Sequence, residues 1–373
     1  MADLYVGTIC GTSLDGIDVA LVDFPDDATA TVLQYDSMPL EPSLARALGR
    51  IVFDGADCSL KDFGTLDQRI GIAIADAVNT LLERGNYRAR DIVGIGTHGI
   101  NVRHAPNDPH PHTLQIGDPN QIAYRTGITT VADFRRADVA RGGQGAPLAP
   151  AFHQAVFAAD EPRVVMNLGG IANITVLIPG TPPIGFDTGP ANGLLDAWFV
   201  SHHADRQPSA TFDRDGSWAA SGTVDPTLLQ RLLNDAYFLQ PAPKSTGKEY
   251  FNLQWLNAAI GSQTIEPRDV QATLAALTAQ SVCEAIERYS NGARSVLVCG
   301  GGAHNTHLVE QIASMLQGAT VNTTAPFGVA PDEVEAAAFA WLAKQTLANH
   351  PGNLPSVTGA NQNAILGGVY SVG

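Results

Sequence analysis

The sequence predicts an α/β protein of two similar halves. A strand-like run, a glycine-bounded turn and a second strand-like run fill residues 4–24. The same order recurs in residues 163–178, about 155 residues further along the chain. A third short strand and helical patterns follow in both places. Because a repeated order of elements is typical of internal duplication, we expect two domains of one architecture, although the two halves share negligible sequence identity.

The first half begins with a meander of three strands. Runs of apolar and β-branched residues predict strands at 4–10, 17–24 and 31–35. Helical spacing follows at 42–52 and more strongly at 66–82, where the apolar side chains share one face. The other elements expected in this half are strands at 92–96, 113–116 and 129–133 and a short helix after Pro119.

The second half repeats the beginning of the first. Strands at 163–170 and 171–178 meet at Gly169 and Gly170, and a short strand at 184–186 follows. Pro190 suits the first turn of a helix through Trp198, because the missing proline N–H is no loss there. The other elements expected in this half are helices at 225–238, 253–260, 269–289, 306–316 and 333–347 and strands at 295–299 and 320–324.

The composition narrows the class of protein. A chain of 373 residues is long enough for two domains, and a net charge of −15 argues against a general binder of nucleic acid or anionic membranes. The sequence shows no signal peptide or membrane-length apolar run. Its four dispersed cysteines suit a reducing compartment. We therefore expect a cytoplasmic protein, in which Arg135, Arg136 and Arg141 form a local basic patch for an anionic substrate.

The turn GTSLDG at residues 11–16 has two interpretations. Gly11 and Gly16 could supply the backbone angles of a tight hairpin. Alternatively, the N–H groups and hydroxyls of the loop could face phosphate oxygens. The loop by itself favours the first interpretation.

Three well-known motifs are incomplete. PKSTGKE at 243–249 lacks the first glycine and the final Ser/Thr of a P-loop. Residues 11–15 miss the nucleophile elbow and lie between two strands. Residues 300–305 approach the dinucleotide fingerprint, but Asn305 replaces the third glycine and no acidic residue follows on the next strand. A P-loop enzyme, a serine hydrolase and an oxidoreductase are not expected, although the glycine run still suits close approach to a nucleotide.

Two possible metal sites have simpler explanations. His104, His110 and His112 lie in a proline-rich stretch that reads as a solvated loop. Residues 213–216 (DRDG) lack the remaining ligand positions of a calcium loop and read as a structural turn.

Asp187 is the strongest single candidate for catalysis. It follows an apolar strand and precedes a Gly-Pro helix start, so its carboxylate should lie at the edge of the sheet where α/β proteins bind ligands. A helix-capping or turn aspartate explains the same pattern equally well.

Ten stretches spread over nearly the whole chain share one resemblance. They are GTSLDGID (11–18), GIGTHGINVRH (94–104), LQIGDP (114–119), VADFRRADVARGGQGAPLAPAFH (131–153), NLGGIANIT (167–175), GFDTGPANGLLDAW (185–198), DRDGSWAASG (213–222), PKSTGKEYFN (243–252), VCGGGAHN (298–305) and EAAAFAWLA (335–343). Together they resemble the anhydro-N-acetylmuramic acid kinase family, within the superfamily of sugar kinases, actin and heat-shock chaperone ATPases.

The resemblance implies two ribonuclease H-like (actin-like ATPase) domains with a cleft between them. The implied boundaries are 1–135 plus 346–373 for the first domain and 136–345 for the second. ATP would bind to the two glycine hairpins, with residues 298–305 beside the adenosine and Mg²⁺ bridging the phosphates. The residues implied for ATP are Gly11, Thr12, Ser13, Leu14, Asp15, Gly16, Ile17, Asp18, Gly169, Gly170, Asn173, Gly300, Gly301, Gly302 and Asn305.

The resemblance also implies roles for the sugar side. Asp187 matches the family's catalytic base. The residues implied for the sugar are Thr97, His98, Arg135, Arg136 and Glu335. Either arginine would hold the lactyl carboxylate or the transferring phosphoryl group. Asp15 and Asp18 could hold Mg²⁺ through water or simply stabilise the turn, and no residue is assigned as a direct metal ligand.

The implied activity belongs to peptidoglycan recycling and amino-sugar catabolism. Such an enzyme opens the 1,6-anhydro ring of anhydro-N-acetylmuramic acid and phosphorylates O6, giving N-acetylmuramic acid 6-phosphate and ADP. Its partner is a small sugar, not nucleic acid or a membrane, and the family's tendency to dimerise implies a homodimer. The alternatives are another sugar kinase of the superfamily that acts without ring opening, and a non-enzymatic nucleotide switch, which would need a peptide-binding module.

Overall fold

A computed structural model describes residues 3–11, 14, 16–52, 55–203 and 210–372. The chain forms two compact units, one of Met1–Val156 with Pro326–Gly373 and the other of Phe157–Ala325. The boundaries implied by the resemblance differ from this division, because residues 136–156 and 326–345 belong to the first compact unit.

In the first part of the first unit, the expected elements occur in the expected order. They are β1 (Leu4–Cys10), β2 (Gly16–Asp23), β3 (Thr31–Pro39), α1 (Pro42–Val52), α2 (Leu60–Gly85), β4 (Gly94–Thr97), β5 (Ile100–Ala105), β6 (His112–Ile116), α3 (Pro119–Thr126), β7 (Thr130–Ala132), α4 (Phe134–Val139) and α5 (Ala149–Phe157). The pattern did not predict β5, which pairs with β6 outside the main sheet, or the helices α4 and α5.

The second unit begins with a meander like that of the first. Its elements are β8 (Arg163–Leu168), β9 (Ile171–Leu177), β10 (Ile184–Pro190), α6 (Asn192–His203), α7 (Ser217–Ala220), α8 (Pro226–Leu233), α9 (Ala236–Leu239), α10 (Leu253–Ile260), α11 (Pro267–Tyr289), β11 (Ser295–Cys299), α12 (Thr306–Met315) and β12 (Thr320–Thr323). The helix expected over 225–238 is broken in two, because the Asp235 side chain accepts the Tyr237 N–H at 2.8 Å and so starts α9.

The chain then returns to the first unit. It adds α13 (Val334–Leu347), α14 (Pro355–Thr358) and β13 (Gly368–Tyr370). No helix in the described parts of the chain is both long and apolar enough to cross a lipid bilayer.

The two sheets share one topology at their centres. The first runs β13-β7-β4-β1-β2-β3 and the second β10-β9-β8-β11-β12. In each, the second strand of the meander is antiparallel to its neighbours, and the next two strands of the order are parallel to the first. If the five central strands of each sheet are numbered as they occur along the chain, their order in the sheet is third, second, first, fourth and fifth. This is the ribonuclease H-like arrangement of actin-like ATPases. The predicted α/β class and internal duplication are confirmed.

The end of the chain belongs to the first unit because helix α13 packs on the sheet of that unit. It packs directly on β1 and β4, where a β-carbon at Gly7 would collide with the Ala336 carbonyl and one at Gly96 with the Phe339 carbonyl. Small residues on both sides allow this approach, and most of the helix is buried. This packing places Glu335, in the first turn of α13, near the carboxyl ends of β1 and β4.

Candidate active site

The first glycine turn closes the β1–β2 hairpin. The strands pair as far as Cys10 and Ile17, and the Leu14 N–H donates to the Gly11 carbonyl at 3.1 Å. The side chains of Leu14 and Ile17 belong to the apolar core, so their backbone is what a nucleotide could contact. Three residues expected to bind ATP lie outside the described residues: Thr12, Ser13 and Asp15.

Position 16 requires glycine because of packing and not because of its backbone angles. Leu14, with a φ of 58°, is a left-handed residue of this turn, whereas the φ of Gly16 lies outside that region. A β-carbon at Gly16 would lie 2.9 Å from the Met38 carbonyl oxygen on β3. The close approach of β3, not a special backbone angle, therefore excludes a side chain there.

The second glycine turn is fastened to the start of α6. The Asn192 N–H donates to the Gly169 carbonyl at 3.0 Å, and the N–H groups of Ala191 and Gly193 donate to the Gly170 carbonyl at 3.2 and 3.1 Å. Both turn glycines remain partly accessible. A rigid turn beside a helix N-terminus is a suitable environment for an anion.

Lys248 lies over this second turn. A β-carbon at Gly170 would lie 2.6 Å from Lys248 Cε and 3.4 Å from its Nζ, and one at Gly193 would lie 3.1 Å from the same Cε. Lys248 was not among the expected site residues, because PKSTGKE lacks two residues of a P-loop and the resemblance implied no role for its lysines. The glycine-lysine pair itself was the signal that could have identified it.

Asp187 lies in the middle of β10, which continues past a bulge to Pro190. The helix expected to start at Pro190 therefore begins later, at Asn192. A separate segment holds Asp187 in place. Its N–H donates to the Lys244 carbonyl at 3.0 Å, and its Oδ2 accepts the Thr246 N–H at 3.0 Å. The Tyr237 hydroxyl donates to the Asp187 carbonyl at 2.6 Å. Because the carboxylate binds the Thr246 N–H rather than an N–H of α6, the helix-capping interpretation is not supported.

The environment of Asp187 favours proton uptake. Burial raises the pKa of its carboxyl to about 6, and the charge of Glu249 adds to the increase while the Thr246 N–H opposes it. A carboxylate with such a pKa is ionised at neutral pH and still basic enough to accept a proton.

Polar side chains continue from Asp187 across the sheet. Asp187 pairs with Asn173 on β9, and Asn173 pairs with Asn167 on β8. Directly paired residues of neighbouring strands share one face. Asn173, an expected ATP residue, therefore lies between the candidate base and the end of β8.

Asp196 is a second carboxyl group with a perturbed pKa in this unit. Burial raises its pKa to about 7; the charge of Lys248 opposes the increase and that of Asp213 adds to it. Sequence reasoning passed over Asp196, although it lies one turn along α6 from Asn192. It is the natural control for any test of Asp187.

The third glycine run follows β11. A β-carbon at Gly300 would collide with Asn167 Oδ1, and one at Gly302 would lie 2.5 Å from Leu168 Cβ, whereas one at Gly301 would meet nothing within 4 Å. Asn305 Oδ1 accepts the Leu308 N–H at 3.1 Å and thereby caps α12. Gly300 and Gly302 thus serve packing, and Gly301 faces open space.

The first unit has a cavity at the carboxyl ends of β4 and β7. Its volume is about 190 Å³. The polar residues that line it include Asp67, Thr97, His98, Gln115, Asp133 and Arg136. Burial raises the pKa of Asp67 and of Asp133. The cavity thus gathers three residues expected to bind the sugar, Thr97, His98 and Arg136.

The two expected arginines have different surroundings. Arg136 is exposed and donates from Nε to the Thr113 carbonyl at 3.3 Å. Arg135 donates from Nε to His98 Nε2 at 2.9 Å and from Nη1 to the Gly145 carbonyl at 2.8 Å. Arg136 is therefore a surface residue, and Arg135 is fixed by two hydrogen bonds.

The Arg135–His98 contact determines the state of the imidazole. Because Nε2 accepts from Arg135, the neutral ring carries its proton on Nδ1, which lies 3.3 Å from the Gly99 carbonyl. Burial and the charge of Arg135 hold the pKa of His98 well below its usual value. Burial also lowers the pKa of Arg135, to about 10, against the charges of Glu335 and Asp138. Thr97, next to His98, accepts a hydrogen bond from the Thr8 hydroxyl at 2.9 Å.

Glu335 and Asp18 are neighbouring carboxyl groups. Loss of hydration raises the pKa of Glu335, the charge of Asp18 raises it further, and Arg135 opposes both. The Glu335 side chain nevertheless keeps access to solvent. Asp18 accepts the Tyr35 hydroxyl at 2.9 Å. Two adjacent carboxylates with access to solvent supply the oxygen ligands that Mg²⁺ prefers.

The histidine stretch is not a loop throughout, because His104 belongs to β5 and His112 to β6, and His110 lies in the connection between these strands. No group of three or more metal-ligating side chains occurs among the described residues. His112 Nδ1 lies 2.8 Å from the His110 carbonyl. Asp213 accepts the N–H groups of Trp218 and Ala219 at 2.8 and 2.9 Å, as expected of a structural turn.

Comparison with protein families gives one match over almost the whole chain. The model of the family described as anhydro-N-acetylmuramic acid kinase matches residues 3–372.

Distant likenesses to solved structures also cover most of the chain. A 2-hydroxyisocaproyl-CoA dehydratase activator from Clostridium difficile with bound ADPNP is 12% identical, with a TM-score of 0.43, over 94% of this chain and 98% of that one. A ROK family glucokinase from Streptomyces griseus in complex with glucose and AMPPNP is 13% identical, with a TM-score of 0.39, over 92% and 99%. Component A of (R)-2-hydroxyglutaryl-CoA dehydratase from Acidaminococcus fermentans is 12% identical, with a TM-score of 0.45, over 91% and 98%.

Proposed function

Because the chain belongs to the anhydro-N-acetylmuramic acid kinase family, we propose that it couples ring opening to phosphorylation. Its substrates are 1,6-anhydro-N-acetylmuramic acid, ATP and water, and its products are N-acetylmuramic acid 6-phosphate and ADP. This reaction belongs to the recycling of cell-wall peptidoglycan. The observation that supports it best is Asp187, a carboxylate beside the bulge of β10 with a pKa raised to about 6.

Asp187 acts as the general base for water. It takes a proton from the water whose oxygen bonds to the anomeric carbon, and the bond from that carbon to O6 breaks. O6 keeps the electron pair and attacks the γ-phosphorus, so the bond from that phosphorus to the bridging oxygen of ADP breaks. A carboxylate suits the position because the anomeric carbon gains positive character as the bridge opens.

Each glycine turn binds phosphate oxygens of ATP through backbone N–H groups. Such preorganised donors stabilise phosphoryl transfer chiefly by position and charge. The open space at Gly301 supports a nucleotide beside the third glycine run. Asp18 and Glu335 would hold Mg²⁺, which offsets phosphate charge when it is bound.

Lys248 supplies a positive charge at the second turn. Its Cε and Nζ lie close to Gly170, where the carbonyl oxygens are already bonded to α6. A lysine acts on phosphate as a mobile point charge. The segment that carries Lys248 also holds Asp187 through Thr246, so one loop serves both the base and the phosphates.

The sugar side is assigned to the first unit. Thr97, His98 and Arg136 line its polar cavity, and Arg135 binds His98. Of the two arginines, Arg135 is the better ligand for a fixed anionic group, because its guanidinium is already oriented by two hydrogen bonds.

One experiment tests the proposal. The protein is incubated with ATP and the anhydro sugar in ¹⁸O-labelled water, and the product is analysed by mass. We expect one phosphate and one labelled oxygen in the same product, with ADP formed in equal amount. A phosphorylated product that keeps its anhydro ring would instead indicate a sugar kinase without ring opening, and ADP formation without sugar phosphate would indicate a nucleotide switch.

A further inference from the structure

A buried carboxylate in α4 lies outside the set of residues so far assigned to the reaction. Asp138 has no exposed surface. Its Oδ1 accepts hydrogen bonds from Asn353 Nδ2 at 2.7 Å and from the Thr358 hydroxyl at 2.8 Å, and its Oδ2 accepts the Gly145 N–H at 2.7 Å. Burying a charge is costly unless hydrogen bonds and opposite charge compensate it.

The two oxygens of Asp138 face different parts of the unit. Oδ1 accepts hydrogen bonds from Asn353, just before α14, and Thr358, within α14, near the C-terminal end of the chain. Oδ2 binds the loop before α5, and the same residue of that loop, Gly145, accepts Arg135 Nη1 through its carbonyl at 2.8 Å. One glycine thus joins the buried carboxylate to the arginine.

Gly145 is suited to this connection and is hard to replace. Its φ is 67°, in the left-handed region. A β-carbon there would lie 2.8 Å from Val139 Cγ2 and 3.2 Å from the Arg135 carbonyl oxygen. The peptide orientation that lets Gly145 bind both Asp138 and Arg135 therefore depends on glycine.

We propose that Asp138 is a positioning residue, which orients Arg135 through Gly145 and keeps it aimed at an anionic oxygen of the substrates. The inference rests on the proposed function, in which Arg135 binds a carboxylate or phosphoryl oxygen. The Arg135 bonds to Gly145 and His98 use Nη1 and Nε. Nη2 is not used by either bond, so it can donate to the ligand.

The charge of Asp138 also acts on Arg135. The charged groups that face this guanidinium are Asp138 on its own helix and Glu335 on α13, and both favour the charged form. His98, directly after β4, and His104 on β5 face it as rings whose pKa is lowered. Asp138→Asn therefore removes one of the two negative charges that stabilise the guanidinium.

The test compares Asp138→Asn with Thr358→Val. Asp138→Asn removes the charge and disturbs the Gly145 link. Thr358→Val removes one partner of Oδ1, together with the bonds of that hydroxyl to the Leu354 carbonyl and the Ala360 N–H, and keeps both the charge and the Gly145 link. For the first variant we expect kcat/KM for the anhydro sugar to fall about 10- to 100-fold, as for a small displacement of a binding group. We also expect a higher KM for the substrate whose anionic group Arg135 binds, with kcat less affected. Thr358→Val should lower thermal stability with no change in that KM.

Gly145→Ala separates orientation from charge. It moves the connecting peptide but leaves the carboxylate, so kcat/KM should fall although the negative charge beside Arg135 is kept. This variant also provides the result if Asp138→Asn does not fold.

Three outcomes would overturn the positioning role. They are a folded Asp138→Asn protein with wild-type kcat/KM, an Asp138→Asn protein that differs from wild type only in thermal stability, as Thr358→Val should, and a folded Gly145→Ala protein with wild-type kcat/KM. Wild-type protein that does not phosphorylate the anhydro sugar would overturn the proposed function and this inference together.

Discussion

At the scale of single residues, the role of Asp187 can be separated from that of Asp196. Both carboxyl groups have a raised pKa, about 6 and about 7, and burial is the main cause in each. Asp187 is oriented by a hydrogen bond from the Thr246 N–H, whereas Asp196 lies near the charge of Lys248. This fixed orientation is the reason for proposing Asp187, and not Asp196, as the base.

Asp187→Asn should abolish most turnover without harming the fold. Asparagine cannot take the proton from water, so we expect ring opening and phosphorylation to fall together by about two to four orders of magnitude. Nucleotide and sugar binding, measured by calorimetry, should persist. Asp196→Asn is the matched control, and a larger loss in that control than in Asp187→Asn would assign the base to Asp196.

The same substitution should not lower the unfolding temperature at neutral pH. The pKa of Asp187 in the folded protein, about 6, is above the ordinary value of about 3.9. Between these two pKa values the folded state holds the proton more tightly than the unfolded state does. The free energy of unfolding therefore decreases as pH rises through this range. The neutral amide avoids that loss and can still accept the Thr246 N–H. A clear fall in the melting temperature would indicate a structural role for the carboxylate instead.

The pH profile of kcat/KM gives an independent test of the base. Because Asp187 must be ionised, activity should fall on the acid side of about pH 6, the pKa of its carboxyl. The profile is measured with ATP saturating and the sugar limiting. An acid limb near pH 4, roughly the ordinary range of an aspartate, would contradict the assignment.

Lys248→Met should weaken ATP binding. Loss of one charge-assisted hydrogen bond to phosphate corresponds to an increase of about 10- to 100-fold in KM for ATP. Lys248→Arg should retain most of the affinity, and Lys61→Met, on the exposed face of α2, serves as the control. If Lys248→Met and Lys61→Met have the same KM for ATP, Lys248 does not contact the phosphates.

At the scale of elements, the turn after β11 offers a matched pair of glycines. Gly301 faces open space, and Gly302 packs on Leu168. Gly301→Val should therefore fold normally but bind ATP less tightly, because its side chain enters the nucleotide's space. Gly302→Val should lower the free energy of unfolding by about 1–3 kcal/mol through overpacking. Thermal unfolding and nucleotide titration of both variants distinguish these effects, and unchanged ATP affinity in Gly301→Val would remove this turn from the site.

The hairpin glycine at position 16 illustrates how an element changes an expectation. Gly16→Val would be expected to weaken ATP binding alone if the turn needed only room for phosphates. In the structure, the added side chain would meet the Met38 carbonyl of β3. This substitution is therefore expected to destabilise the meander as well, and it is a poor probe of nucleotide binding.

At the scale of the whole molecule, the two compact units differ in how the chain builds them. The second is one continuous segment, Phe157–Ala325, with apolar clusters of its own. The first needs both ends of the chain, because α13 covers β1 and β4.

Residues 157–325 should consequently fold alone. We expect this fragment to unfold cooperatively by circular dichroism, because its sheet and core are complete. The fragment 1–156 should fail to fold, since the loss of α13 exposes the glycine-lined face of β1 and β4. A cooperative transition for 1–156 would show that α13 is dispensable for that core.

Much of the molecule follows from the sequence alone. The period of apolar residues and the glycine turns predicted the two meanders, and most helix and strand bounds agree with the structure to within a few residues. These features are local, because backbone geometry and the burial of one face act over a few neighbouring residues. The motifs by themselves also indicated the family.

Only the tertiary structure decided which distant residues meet. It placed Lys248 on Gly170, tied Asp187 to Thr246 and joined Arg135 to His98. It also packed α13 against β1 and β4 of the first unit. Each of these results depends on packing between segments that lie far apart in the chain. The period of apolar residues is a local pattern and does not indicate which distant segments pack together. The sequence by itself therefore determined the elements and the family, and the tertiary structure decided the surroundings that give the site residues their charge, orientation and pKa.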